Sequence, residues 1–350
     1  MSSTIDVSAL NARMKEKAID FQTIFGQRLA NGFHAKGDFV SLGIKDKVTL
    51  TRETMSNITQ PGKTGELNNK EGNFVEYKQR TGELKPAKVD LYIDELMLEK
   101  LSTSFLANRQ PADPKDIHSL AGADYIMSRV IAQIGQEVNA AIYRGQLGYG
   151  YDDTTDALKK STRFQGGLNL MDGLGLKFTQ GYATSGAGAV GDIPGANKVT
   201  GAASSMSEAV VLAELKKMED VIINSGHLES YAYDDPDAPT ASLYINGATK
   251  MFLADALDNL TYKATKLVEP DGDGFRFKKL PKVKIKARRW MSGVANMFFS
   301  PDDNLFYLHQ DVDEDIPAIK FQEVGRGIQI LIDFKLGVDY ADGRSIVLWK

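Results

Sequence analysis

The sequence predicts an α+β fold, and three observations carry that prediction. Between Asp116 and Arg144, Ile126, Val130, Ile134, Val138 and Ile142 recur at every fourth position, with Met127 and Ile131 widening the stripe and Leu120, Ala123 and Ala141 extending it. This spacing puts the apolar side chains on one side of a helix. Between Ile328 and Tyr340 the even positions (Ile328, Ile330, Ile332, Phe334, Leu336, Val338, Tyr340) are apolar and the odd ones mostly polar, the period of a strand with one dry face. The remaining helices and strands succeed one another without a regular strand–helix–strand rhythm, which favours α+β over a doubly wound parallel sheet. At 1.5 Å per residue the helix runs roughly 40 Å, and at about 3.3 Å per residue so does the strand. Matching lengths let the two stripes bury each other, and that helix-on-sheet slab is the expected frame.

The chain of 350 residues is long enough for a sizeable core and for two lobes. Its apolar fraction of 42% and charged fraction of 25% are ordinary for a globular protein. A net charge of −4 argues against a strongly basic nucleic-acid clamp but leaves room for loose contact. The lack of cysteine removes disulfides, thiolate catalysis and cysteine metal sites. The N-terminal residues, Asp6 among them, have no signal-peptide core. No apolar run approaches the roughly 18 residues of a membrane span, so the reading is a soluble protein made in a cytoplasm, with no membrane partner.

In chain order, residues 1–36 read as an arm. Leu10, Met14, Ala18, Phe21, Phe25 and Leu29 predict one amphipathic helix, packed either on its own subunit or on another copy. Val40 to Gly72 is polar and turn-rich, with Pro61-Gly62 and Asn68-Asn69 as breakers. Residues 74–80 and 88–94 alternate (Val75 and Tyr77 against Lys78 and Arg80; Val89, Leu91 and Ile93 against Lys88 and Asp90) and, joined through Thr81–Ala87, predict a hairpin. Isolated hairpins are marginal in water, so this one needs a partner surface on the same subunit or another. Asp113 and Pro114 suit the start of the long helix, and Arg144 and Gly145 its end, the glycine as a left-handed cap. Gly145 to Ser205, rich in Gly, Ala, Ser and Thr, is the least structured stretch. Ser205 with Glu208 reads as a capping box opening a helix that stops at Gly226. A strand over Ser242–Ile245, a helix after Asn246-Gly247, and a strand in which Val283, Ile285 and Ala287 alternate with Lys282, Lys284, Lys286 and Arg288 come next. Val294–Phe299, Leu305–His309, Ile316–Val324, the long strand and Ser345–Trp349 complete a strand-rich C-terminal third.

None of the chemical motifs forms a constellation. Gly186-Ala-Gly188-Ala-Val-Gly191 matches a dinucleotide fingerprint in letters, but that motif needs a strand before it and a helix after it. Thr184-Ser185 and Asp192-Ile-Pro194-Gly195 supply neither, so the stretch reads as a loop. Asp271-Gly-Asp273-Gly274 opens like a calcium loop, yet Phe275, Arg276 and Lys282 occupy the positions of the third ligand, the glycine and the glutamate. It reads as a turn between strands. His34, His118, His227 and His309 are scattered without zinc spacing. The basic face from Lys282 to Arg288 can meet phosphates or simply be solvated. No catalytic, cofactor or metal residue is assigned, and the enzyme alternative, a nucleotide-binding protein, would rest on the Gly186 loop alone.

The C-terminal text is the most telling. Asn296-Met-Phe-Phe-Ser300-Pro-Asp-Asp-Asn304-Leu305, Phe334-Lys335-Leu-Gly337-Val338, the continuation to Tyr340 and Asp342-Gly343, and the helix tail Ile142-Tyr143-Arg144-Gly145 resemble tailed-bacteriophage major capsid proteins. The likeness covers most of the chain in architecture and about fifty residues in text. It implies the Hong Kong 97-type fold, with a long spine helix, an N-terminal arm (1–40) and an extended β-hairpin loop (41–98). The peripheral domain would then be 99–149 with 301–343, and the axial domain 150–300 with 344–350. It implies self-assembly into hexamers and pentamers of an icosahedral virion shell in a bacterial host, with double-stranded DNA, portal and scaffolding proteins as partners and room for decoration proteins. Inter-subunit contacts are expected from Val75, Tyr77, Lys78, Arg80, Lys88 and Leu91 of the hairpin and from Phe21 and Phe25 of the arm. An encapsulin-like compartment is the alternative within the same fold, and a tail-tube polymer another.

Overall fold

The computed structural model describes residues 6–349 apart from 34, 36, 56–74, 109–116, 118, 148–166, 186–188, 202–205, 226–227, 234–236, 238, 260–266, 273, 295 and 313–314. The arm is two helices rather than one, α1 (Val7–Glu16) and α2 (Ala18–Ala30), broken at Lys17. Asp6 caps α1 by accepting the Ala9 N–H at 3.0 Å. Both helices fold back onto their own chain, with Leu10, Met14, Phe25 and Leu29 fully buried. Phe21 meets Phe321 and Phe25 meets Phe334, ring edge to ring face. The expectation that Phe21 and Phe25 reach another copy is therefore corrected. Their aromatic surface is already out of water within this subunit.

The spine helix, after α3 (Glu95–Asn108), is α4 (Leu120–Arg144). Ser119 caps it, accepting the Gly122 N–H at 3.3 Å, while Asp113, Pro114 and Asp116 lie outside the described residues. Gly145 ends it at φ −57°, not in the left-handed region. A Cβ there would collide with the Met171 carbonyl oxygen, so close backbone approach demands the glycine. α3, unforeseen in the sequence, and α5 (Leu174–Tyr182), inside the stretch read as least structured, both pack on α4.

The long strand is β13 (Gly327–Tyr340), at the centre of a five-stranded sheet. It pairs antiparallel with β11 (Leu305–Gln310), β12 (Ala318–Val324) and β4 (Lys85–Ile93), and β11 pairs parallel with β1 (Val40–Ile44). α4 does not lie straight on this strand: α1 touches α4 on one side and β12 and β13 on the other, so the arm is the filling of the slab. One continuous core runs from Leu10 and Phe25 through Ile126 and Ile134 to Ile330 and Phe334. The expected hairpin is corrected as well. β3 (Val75–Glu83) and β4 are separated by Leu84 alone, too short a link for a turn; β4 pairs with β13, Leu91 opposite Ile330, and β3 pairs with β2 (Lys47–Met55).

A second core lies around a seven-stranded sheet. Its order is β5 (Lys198–Val199), β14 (Val347–Trp349), β10 (Met297–Pro301), β6 (Ala241–Ile245), β9 (Val283–Ala287), β8 (Gly274–Phe277) and β7 (Val268–Asp271). α6 (Glu208–Asn224) and α7 (Gly247–Asp258) cover one face, burying Leu215, Met218 and Leu253 against Leu243, Ile285 and Phe299. α6 begins one residue after Ser207, so Glu208 is its first residue, not the third residue of a capping box; Ser205 lies outside the described residues. α7 starts as expected, Asn246 accepting the Thr249 N–H at 2.6 Å. β7 and β8 form the antiparallel pair expected around Asp271–Gly274. On the other face Tyr244 and Phe298 join the first core, stacking with Trp290, Tyr143 and Phe178.

The Ser300–Leu305 turn joins the two sheets. Asn304 is buried there; it accepts the Asp342 N–H at 2.7 Å and donates to the Asp342 carbonyl at 3.0 Å, tying the turn to the end of β13. A Cβ on Gly337 would run into the Glu83 carbonyl oxygen, so this glycine lets the base of β3 cross over β13.

Candidate assembly site

The two-stranded ribbon β2–β3 is, among the described residues, the one sheet with no third strand. Its register places Lys47, Thr49, Thr51 and Glu53 opposite Glu83, Thr81, Gln79 and Tyr77 on one face. That face is solvent-exposed, with Tyr77 62% accessible and only Glu83 half-buried. The other face carries Val48, Leu50, Arg52, Lys78, Arg80 and Gly82 and leans on the body, where Leu308 fills the space above Gly82. Alternation along β2 and β3 thus separates a wet polar face from a docked one.

Two arginines of the docked face bind acids at the end of β13. Arg80 donates to Asp339 at 2.5 Å, to Asp192 at 3.0 Å and to the Tyr340 hydroxyl at 2.9 Å, with its guanidinium 3.9 Å from the Tyr340 ring centre. Tyr340 donates on to Asp192 at 2.9 Å, and Lys177 of α5 donates to Asp339 at 3.2 Å. Asp339 is fully buried. Burial works against the charge of Arg80, yet Asp339, with Asp192, holds its pKa above the usual value. Burial likewise pushes the Tyr340 hydroxyl well above the usual phenol range. Arg52 lies 3.6 Å from Asp342. Arg80, expected to contact another copy, is instead the bolt that holds the ribbon base to its own subunit.

The other expected contact residues divide by position. Tyr77 and Lys88 are exposed; Val75, Lys78 and Leu91 are half-buried, Leu91 packing on the first core. Reading the odd positions of the long strand as its wet face hides Asp339, although it is buried and organises the site. Only its place between Val338 and Tyr340, at the end of an otherwise apolar run, hints at this.

A second anchor sits where the arm leaves α2. Asp38, buried, accepts two hydrogen bonds from Arg288 at 2.5 and 2.7 Å and one from the Trp290 indole at 3.3 Å. Lys286 stands 3.9 Å away. The arm is thereby fastened to the second sheet as well as to the first.

At the ribbon base, Lys47 and Lys85 bracket Glu83 at 2.6 and 2.9 Å and hold its carboxyl down to about 2, from an ordinary 4.5. A group depressed in the folded state adds stability that is full above its unfolded value and lost as pH falls toward the folded one. The stability difference between the wild type and Glu83→Gln should therefore shrink between about pH 5 and pH 2 in urea titrations, and shrink at pH 7 when salt is raised.

Among the described residues no group of acids and histidines could hold a metal ion, and no helix is long and apolar enough to cross a membrane. Gly186–Gly188 of the glycine motif lie outside the described residues, and the first helical segment after Gly191 is a three-residue turn of 3₁₀ helix at Gly195–Asn197, not an α-helix.

No protein-family model matches the chain, and no curated protein matches it in sequence. Solved structures do. A chain of the satellite phage P4 procapsid, a structure that includes the size determination protein, is similar over 94% of this chain and 98% of its own, with a TM-score of 0.53 at 14% identity. A chain from the capsid of a native GTA particle covers 91% and 90% at 12% identity and TM-score 0.47. One from an encapsulin complex of Synechococcus elongatus covers 88% and 83% at 6% and TM-score 0.43. The P4 procapsid likeness, which spans nearly the whole of both chains, carries the assignment. With its spine helix, folded-back arm, two sheets and separate two-stranded ribbon, the chain has the Hong Kong 97-type fold of phage capsid shell proteins.

Proposed function

We propose that this chain is the major capsid protein of a tailed bacteriophage, a structural rather than catalytic protein that assembles in the bacterial host as hexamers and pentamers of an icosahedral head enclosing double-stranded DNA. The observation that carries the reading is the β2–β3 ribbon. Its base is bolted to the body through Arg80 and Arg52, while its outer face, with Tyr77 at 62% exposure, has no partner strand or sheet among the described residues of the subunit. A two-stranded ribbon is marginal alone, so a second copy is the surface that completes it. Val75 and Tyr77 of that outer face are assigned to the contact, with Lys78 of the opposite face and Lys88 and Leu91 of β4 as further inter-subunit contacts of the same reading, to which the domain limits 1–40, 41–98, 99–149 with 301–343, and 150–300 with 344–350 also belong. Portal and scaffolding proteins are its further partners.

Negative-stain electron microscopy of the expressed protein tests this. Closed shells, or hexameric and pentameric capsomers, are expected. Dispersed monomers at high concentration, or rods, would overturn it. Closed shells filled with a cargo protein and lacking nuclease-protected DNA would move the reading to an encapsulin-like compartment.

A further inference from the structure

α6 and α7 cover one face of the second sheet, and the aromatic cluster around Tyr244 and Phe298 covers the near half of the other. The far half, over β8 and β9, is where Lys284 and Lys286 alternate with the buried Val283 and Ile285, with Arg276 in register beside Lys284 and with Lys282 and Arg288 flanking the strand at its two ends. Three of these five cations are already used: Arg288 binds Asp38, Lys286 lies 3.4 Å from Asp302, and Arg276 is the third. Arg276 is paired with Glu269 at 2.7 Å. Lys284 is exposed and Lys282 half-buried, and the exposed Lys278, one residue past β8, continues the alternation of Arg276. None of these three lysines has an ion-pair partner among the described residues.

Between Phe277 and Trp290 the chain holds seven lysines and arginines and no acid, on a protein whose net charge is −4. A local cationic row on an acidic molecule is not explained by bulk solubility, since mixed surface charge would serve that better. We infer that this open half-face of the second sheet is the surface that meets nucleic-acid backbone, an inference that rests on the shell reading given above. The row from Lys282 to Arg288 spans about 20 Å at 3.3 Å per residue, against a duplex that presents one phosphate charge per about 1.7 Å of axis. The free groups are lysines, point charges without the fork that reads a base edge, so binding is sequence-independent and confined to phosphate. Neutralisation of Lys286 and Arg288 from within leaves a weak contact, as a lining requires if the duplex is to slide past it.

The test uses the full chain as dispersed subunits and a labelled random-sequence 30-base-pair duplex (an order-of-magnitude site length, about 100 Å at 3.4 Å per pair). Binding by fluorescence anisotropy is followed as salt rises. For Lys282→Gln with Lys284→Gln, the slope of log affinity against log salt is expected to flatten by about 2. Lys100→Gln with Lys320→Gln makes the same change in net charge at exposed sites in α3 and β12 and should leave the slope unchanged. Equal slopes for the wild type and both variants would overturn the assignment, as would absence of duplex binding by the wild type alongside binding to poly-glutamate, which would point to an acidic polypeptide. Particle formation by each variant, scored by electron microscopy, keeps the two readings apart: shells that form normally with an unchanged slope defeat the cationic row and leave the shell intact.

Discussion

Arg80→Ala is expected to destabilise the folded chain by about 3–5 kcal/mol, read as a fall in the urea midpoint without a change of slope. The substitution takes away the guanidinium that satisfies Asp339, Asp192 and the Tyr340 hydroxyl together. Asp339 is then left fully buried with Lys177 at 3.2 Å as its remaining cation. Breaking a buried pair from one side costs far more than the pair contributes net, because the orphaned charge cannot regain water. The complementary result is as informative: Arg80→Met with Asp339→Leu, which removes both charges and keeps the volume, should recover most of the loss. Lys177→Ala should cost less than Arg80→Ala, since Asp339 keeps its shorter bond. A change below about 1 kcal/mol for Arg80→Ala, the size of an exposed pair, would mean that the bolt is not formed. Because Arg80 stands at the ribbon base, particles of this variant should also assemble poorly.

Asp38→Ala should cost about 3 kcal/mol, the scale of losing hydrogen bonds to a charged acceptor whose donors stay in place. The Trp290 indole N–H, buried, would have no acceptor, and Arg288 would be freed from its two-pronged grip. Arg288 is 36% exposed and can recover water, which caps the loss below that of Arg80→Ala. Asp38→Asn keeps an acceptor for Trp290 and should cost about half as much. Limited proteolysis gives an independent reading: Asp38 fastens the end of the arm to the second sheet, so cleavage between α2 and β1 should accelerate in the alanine variant and leave the rest of the chain unchanged. No acceleration would mean that aromatic packing alone holds the arm.

Elements whose side chains alternate against a fixed interior are legible without coordinates. The spine helix, the long strand, the β9 strand with its lysines and the Asn246-capped helix all stand where their periodicity puts them. Short or polar elements are not. β2, whose Thr49, Thr51 and Thr54 give it β propensity with little hydrophobic signal, lies hidden in a stretch that reads as turns. α5 sits inside a Gly- and Ser-rich stretch, its helix set by packing on α4 rather than by propensity. The strand at 75–83 is recognisable from its alternation but its partner is not, since alternation says which face of a strand is wet and nothing about which strand lies beside it. The same limit explains Asp339, which sits among the polar positions by period and in the core by location.

By itself, the sequence determined the apolar faces of the spine and the long strand, the absence of thiol chemistry, and the short turn and glycine texts that resemble a capsid subunit, because each depends only on residue type and spacing along one segment. Tertiary structure alone decided that the arm packs inside its own subunit, that β2 rather than β4 completes the ribbon, and that Arg80 serves as an internal bolt. These outcomes depend on which distant surfaces meet, and the free energy of burying Phe25 or pairing Asp339 exists only once the partner from the far end of the chain has arrived.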